Sequence, residues 1–290
     1  MKLQNKKKNK SLPYLLLLPT FIIMGMFILY PFIRTIVLSF SVTNSFGLFA
    51  KWVGTKNWVR IFGKKATWNA VKNTMVYALI VGAGTFSISM LLALLCVKKT
   101  KWGKISQIVF TIPMAIATAP ASSIFSFIYR KDGGILNALL GTNISWLLDK
   151  RYALLAVGVV SIWLGIGSSF IFLLVGFRSV PDELQESALI DGANGFQKTI
   201  HIMIPLASPQ IFYVVFLNIV RSFKSFSEIK LMTQGGPQGS TQTLIYSIYE
   251  NAIINGRFET AAVQAIMLFV IIMVFTCIQL ACEKRMVTYS

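Results

Sequence analysis

Six apolar runs separated by short polar segments set the plan of this chain. They lie near residues 12–40, 70–97, 105–129, 152–177, 204–227 and 260–282, each long enough for the roughly 20 helical residues that cross a hydrocarbon core. None alternates apolar and polar residues over ten-residue segments, as the strands of a membrane barrel do. The pattern therefore predicts an all-α integral membrane protein. One six-span domain would cover 12–285, with a basic segment at 1–11 before it and a short tail at 286–290. Pro19 and Pro31 are expected to kink the first span, because a proline inside a helix removes a donor and frees carbonyls that neighbours must satisfy.

The polar segment 179–203, between the fourth and fifth runs, is unlike the others. Asp182, Glu183, Glu186 and Asp191 lie in it, four of the ten acidic residues in the whole chain. Ser179, Pro181 and Asp182 are spaced as a capping box with proline in the first turn, which predicts a short helix starting there. Its acidic head suits the positive end of the helix dipole. Leu184, Ala188 and Ile190 would form a small apolar face, Gly192 and Gly195 would let the chain turn sharply, and Phe196 to Ile202 would form a second short helix leading into Pro205. An amphipathic connector resting on headgroups is one reading. An acidic head on anionic lipid disfavours it and favours a grip for a partner outside the bilayer.

Composition agrees with the pattern. With 55% hydrophobic and 13% charged residues and a mean hydropathy of +0.66, the chain is too apolar for a soluble domain of its length. The net charge of +18 does not point to nucleic acid, since no basic stripe interleaved with aromatics lies on a soluble module. Most Lys and Arg flank the apolar runs, where headgroups and the membrane potential favour cations. The leading MKLQNKKKNK resembles the basic region of a signal peptide, but the run after it is too long and lacks a cleavage site, so a retained anchor is expected. Thirteen cations fall on the amino-terminal side of the membrane and fifteen elsewhere, so the count does not orient the chain. Their density beside span ends, in the leading cluster and in KKTKWGK, places both termini and segment 179–203 in the cytoplasm. Cys96, Cys277 and Cys282 have neither disulfide nor metal spacing and are expected to be small buried hydrophobes.

Catalytic chemistry is missing. There is no GxxxxGK[ST] phosphate loop, no Ser, His and Asp set, no paired carboxylate site and no Cys/His cluster for a metal. His201, the one histidine, is expected to be solvated or interfacial and not a proton relay. Ion-coupled transport would need carboxylates within the spans and inverted halves, and neither is visible. In the fifth run, Asn218, Arg221, Ser222 and Ser225 recur every three or four residues and would share a helix face. Polar contacts between helices explain such residues as readily as a transport path does. Arg221 is different, because an intramembrane cation is costly and marks either function or a paired acid, such as Glu228 or one on another subunit. Lys224 can snorkel to the interface.

Glu186, Ser187 and Ala188, followed by Gly192, Ile202, Ile204 and Pro205, resemble the EAA loop of permease subunits in bacterial ABC importers. Ser187 stands for the usual second Ala and Ile204 for the usual Leu. The phrase VPDELQESALIDGANGFQ, with Ile190, Asp191, Gly192 and Ala193, is similar to the carbohydrate-uptake class of maltose and glycerol-phosphate type. LLLLPTFIIMGMFILYPFIRTIVLSF, WNAVKNTMVYAL, GGILNALL with SWLLDKRYALLAV, and KLMTQGGPQGSTQTLIYSIYENA follow in the family's order, the last with a tight turn at Gly235, Gly236 and Pro237.

This resemblance implies a type I importer transmembrane domain with a cytoplasmic coupling helix, in a bacterial plasma membrane. Glu186, Ser187, Ala188, Asp191, Gly192 and Ala193 would dock a cytoplasmic ATPase dimer, which would hold ATP and magnesium, leaving this chain without cofactor. A second homologous permease, in a heterodimer, and an extracellular solute-binding protein would complete the importer. Cargo, a sugar or oligosaccharide, would pass by alternating access along Asn218, Arg221, Ser222 and Ser225. Arg221 suggests an anionic sugar such as a sialic acid, a uronate or a sugar phosphate. The alternative is a related permease for glycerol phosphate, an amino acid or a peptide.

Overall fold

The computed structural model describes residues 12–44, 47–98 and 100–286; the basic segment 1–11 and the last four residues of the expected tail lie outside the described residues. Helix α1 (Leu12–Met24) passes through a π turn, Gly25–Leu29, into α2 (Tyr30–Ser39), forming one apolar span over Tyr14–Ser39. No sharp kink occurs at Pro19. The widened turn lies just before Pro31, where it accommodates a residue that cannot donate and would clash with the preceding turn. Strands β1 (Ser41–Thr43) and β2 (Phe49–Trp52) pair antiparallel, a small hairpin that the all-α expectation did not contain. Helix α3 (Lys56–Phe62) leads into the 32-residue α4 (Lys65–Cys96), five residues earlier than the apolar run begins.

The third span is two helices, α5 (Lys101–Ala115) and α6 (Thr118–Ile128), bent by 100°. Pro113 sits in the last turn of α5 and Pro120 in the first turn of α6, and Ile116 and Ala117 between them are extended. After α7 (Ile135–Leu140) the fourth span is α8 (Ala153–Arg178). The polar segment holds α9 (Asp182–Ile190) and α10 (Gly195–Lys198). A second π turn, Thr199–Met203, precedes Pro205 in α11 (Ile204–Leu206), and the chain then bends by 74° into α12 (Ser208–Phe223). Helices α13 (Ser227–Met232) and α14 (Leu244–Tyr249) lead to the last span, α15 (Phe258–Met286). Among the described residues four helices are long and apolar enough to cross a membrane alone, and the two bent pairs bring the number to six.

The centre of the bundle is the contact of α4 with α8. A Cβ on Gly165 would come within 2.8 Å of Thr85 Cγ2, so the small residue lets the two backbones approach as membrane helices do. Phe170, Leu173 and Phe177 of α8 pack there with Ala93 and Cys96 of α4. Cys96 is buried, but Cys277 and Cys282 are exposed on α15, correcting the expectation for both. The outer surface of a membrane protein meets hydrocarbon, so an apolar residue gains nothing by turning inward. Residues 14–24 of α1 are likewise exposed throughout.

The turn between the third and fourth spans is organised by one side chain. Asn137, buried, donates to the carbonyls of Arg130, Lys131 and Ile144, and its oxygen accepts from Thr142 Oγ1, Ile144 N and Trp146 Nε1. Nearby, Arg151 bonds the carboxylate of Asp149 through Nε and Nη2 and holds its pKa down at about 2. Replacing Asn137 by Ala orphans several of these groups at roughly 1–3 kcal/mol each. Asn137→Ala is expected to lower the thermal unfolding midpoint in detergent, followed by intrinsic fluorescence; an unchanged midpoint would remove Asn137 as the organiser of the turn.

Candidate functional site

The segment 179–203 is built from local capping chemistry. Helix α9 begins after Pro181, and no side chain caps it. Ser179 instead donates its hydroxyl back to Gly176 O at 2.8 Å, which corrects the expected capping box: the serine still belongs to the end of α8. Asp182 and Glu183 do occupy the first turn. At the other end, Ala193 N–H bonds Ala188 O at 2.9 Å and Gly192 N–H bonds Leu189 O at 3.1 Å, a Schellman closure. Gly192 has φ +83, a conformation that costs other L-residues about 1–2 kcal/mol. A reciprocal capping box between Asn194 and Gln197 then starts α10. The sequence reading missed it, although the Asn-x-x-Gln spacing was there to be seen.

These closures present a defined surface. Ala188 is buried, whereas Leu184 is 45% exposed and Ile190, expected on the same face, is 87% exposed. Leu189 and Phe196 are also turned outward, a grouping that marks an interaction surface. The carboxylates of Glu186 and Asp191 form no ion pair or side-chain hydrogen bond with described residues. Ser187 lies exposed beside them. Asp191, Gly192 and Ala193 line one side of a cleft of about 340 Å³, with Gln197, Lys198, His201 and Ile202 on the other. His201 is exposed, as expected, with Nδ1 3.0 Å from Gln197 O. The base of the segment is clamped by Arg178, whose Nη2 and Nε bond Cys96 O at 3.0 Å and Val97 O at 3.3 Å, while Nη1 reaches Gln107 Oε1 of α5. A guanidinium thus caps the carboxyl end of α4, where cations and donors are favoured.

Of the polar residues of the fifth span, Asn218, Arg221 and Ser222 lie on α12 and Ser225 does not. Asn218 and Ser222 are buried, Arg221 is exposed, and Ser225 lies beyond the end of α12. Asn218 accepts from Ser169 Oγ of α8 at 3.0 Å. With Ser222 it lines an apolar cavity of about 450 Å³ between α4 and α12. On the other side, Asn218, Arg221, Ser168 and Ser169 line a cleft of about 230 Å³. Arg221 makes no ion pair with Glu228, nor with any other described residue. Glu228 is buried and accepts instead from Ser225 Oγ at 3.0 Å; Ser225 in turn meets Tyr77 OH at 3.1 Å and Ser161 Oγ at 3.2 Å. Tyr77 and Ser161 come from α4 and α8, and no spacing in one sequence links them to Ser225.

The turn at Gly235, Gly236 and Pro237 is tight, as expected. Gly235 has φ +79, and a Cβ there would collide with Gln242 Oε1 and lie 2.8 Å from the Tyr246 ring. Asn73 Nδ2 donates to Gly239 O and Gln242 O, pinning the segment to α4.

A family model described as binding-protein-dependent transport system inner membrane component matches residues 86–288. The sn-glycerol-3-phosphate transport system permease protein UgpA of Agrobacterium fabrum is 30% identical, over 97% of this chain and 98% of its own. The protein of the same name from Yersinia enterocolitica is 30% identical over 96% of each chain. Among solved structures, a chain of a bacterial ABC transporter involved in import of the acidic polysaccharide alginate superposes with a TM-score of 0.84 at 22% identity, covering 96% of both chains. A chain of the MetNI methionine ABC transporter gives 0.57 at 14% identity, over 76% of this chain and 95% of its own.

Gly192→Ala is expected to speed hydrogen exchange at Gly192 and Ala193 by about tenfold, the factor for roughly 1.4 kcal/mol. Gly195→Ala should leave exchange unchanged, since Gly195 has no positive φ and open space around its Cα. Equal effects from both variants would refute the Schellman closure as the device that ends α9.

Proposed function

The chain belongs to the family of binding-protein-dependent transport system inner membrane components, and on that premise we propose that it is one permease half of an ATP-driven importer for an anionic sugar derivative or polyol phosphate. A cytoplasmic ATPase dimer grips α9, a second homologous permease forms the other half in a heterodimer, and an extracellular solute-binding protein delivers the cargo. Both termini face the cytoplasm. ATP and magnesium are held by the ATPase, consistent with a chain that has no phosphate loop.

The observation that carries the docking role is the surface of α9: unpaired Glu186 and Asp191 beside outward-facing Leu189 and Ile190, on a helix closed at its end by Gly192. Carboxylates seek cationic or backbone donors in a partner's groove, and the apolar side chains supply buried area. When ATP closes the ATPase pair, α9 moves with it. The Arg178 clamp passes that movement to the end of α4 and the middle of α5, so the bundle rocks as rigid helices and the path opens outward; hydrolysis returns it inward.

The cargo's charge is read from Arg221, whose guanidinium is unpaired and lines a cleft with Ser168, Ser169 and Asn218. A cation near hydrocarbon with no acidic partner among the described residues of its own chain suits an anionic ligand. The relatives named for sn-glycerol 3-phosphate and the structural neighbour named for an acidic polysaccharide support the same charge.

Glu186→Lys and Gly192→Pro are each expected to abolish uptake in cells while the chain still inserts and assembles in the membrane; normal uptake in either variant would sink the docking assignment. Arg221→Gln is expected to raise KM for an acidic sugar or sugar phosphate about tenfold or more, the factor expected for losing a charge-assisted contact. Unchanged acidic-sugar uptake in this variant, with neutral sugars competing equally, would remove the anionic reading.

A further inference from the structure

The first acidic residue of the chain is Asp132. From the end of the first span through the first two turns of α4 this leaves a module with cations and no carboxylate of its own: Lys51, Lys56, Arg60, Lys64, Lys65 and Lys72, all exposed. Arg60 alone among them has an ion pair with a described residue, to Glu259 of α15 at 3.5 Å. Thr43 of β1 donates to the same carboxylate at 2.9 Å. The one acid that faces the module therefore fastens the hairpin and α3 to the last span and does not neutralise the lysines.

Beside these cations runs a line of neighbouring rings, two of its four contacts stacked and two tilted. Trp52 lies 5.8 Å from Phe40, Phe40 5.8 Å from Trp58, Trp58 6.0 Å from Phe62 and Phe62 5.8 Å from Trp68. Trp52, Phe62 and Trp68 are 41–56% exposed, and Val59 is 71% exposed. On α3, Asn57 and Ile61 face the protein. Trp58, Phe62 and Val59 fall along one edge and Lys56 and Arg60 on another, from the 100° step of a helix. The line includes Phe40, just after α2 ends, and Trp68, in the first turn of α4, and so joins the ends of two membrane spans, the level at which a spanning helix meets headgroups. Tryptophans with lysines at that depth form an interfacial belt. The positive-inside bias disfavours cations on this side of the membrane, so their retention calls for an anionic counterpart.

We propose that this belt is a docking surface for anionic phospholipid headgroups of the leaflet opposite α9. Naming that leaflet the outer one, and the positive-inside argument with it, rests on the cytoplasmic placement of α9; the line of rings beside lysines without an acidic partner among the described residues does not. Cargo steering is disfavoured by position, because α3 packs against α15 and the start of α4, whereas Arg221 lines a cleft between α8 and α12. Phosphate oxygens of phosphatidylglycerol or cardiolipin would meet Lys56, Lys64 and Lys65, with Trp52 and Trp68 seated among the glycerol backbones.

The test uses the assembled importer in nanodiscs of mixed phosphatidylcholine and phosphatidylglycerol. Native mass spectrometry is expected to count more retained phosphatidylglycerol than phosphatidylcholine at equal mole fraction, with the excess lost in the combined variant Lys56→Gln, Lys64→Gln, Lys65→Gln. With Trp102, Trp146 and Trp163 changed to Phe, phosphatidylglycerol brominated high on its acyl chains should quench the remaining emission more than brominated phosphatidylcholine, and the lysine variant should equalise the two. Equal retention and equal quenching in the wild type overturn the proposal. So does a lysine variant that keeps the lipid preference but loses capture of the solute-binding protein in pure phosphatidylcholine, which would assign the surface to that protein. Binding-protein-stimulated ATPase activity in the same discs tests the importer separately, so that its absence counts against the transport reading and not against the lipid contact.

Discussion

Inside hydrocarbon no water stands ready to bond a free N–H or C=O, so every break in a helix must be satisfied by something else. The rest of the structure depends on how this chain meets that demand. Where Pro31 and Pro205 interrupt the ladder, a π turn just upstream absorbs the misfit. Where α4 ends, Arg178 reaches across from α8 to take up two orphaned carbonyls. Where α12 ends, Ser225 donates its hydroxyl to the Glu228 carboxylate and is itself met by the hydroxyls of Ser161 and Tyr77. The interruptions are therefore also the places where polar chemistry enters the bundle.

Much of the architecture was legible in the sequence, because hydropathy over some twenty residues is a strong signal and the bilayer enforces it. Apolar helices fall close to the bounds expected for the spans. The hairpin was hidden by its length, with strands of three and four residues. The 100° bend between α5 and α6 could be traced to Pro113 and Pro120 only once the extended residues between them were visible. Expecting buried cysteines applied a rule for proteins in water to a surface that faces lipid.

The candidate site divides in the same way. The end of α9 could be read because IDGA carries its own geometry: an αL residue after a helix is written as glycine. Pairing Arg221 with Glu228 assumed an unbroken helix, in which seven residues make two turns and bring the two side chains to one face. The helix stops at Phe223, the register is lost, and Glu228 accepts from the Ser225 hydroxyl, which Tyr77 of α4 and Ser161 of α8 also meet, in place of the guanidinium. Contacts assembled from three distant segments leave no periodic trace in one of them.

The Arg178 clamp has a consequence for how this chain can diverge. Its donors address the backbone oxygens of Cys96 and Val97, which every residue carries in the same place. The side chains at both positions can drift under other pressures, from lipid thickness to packing around a new cargo, without loosening the link between segment 179–203 and the bundle. A joint made this way is robust to sequence change on one side and intolerant on the other, because its donors all come from one arginine.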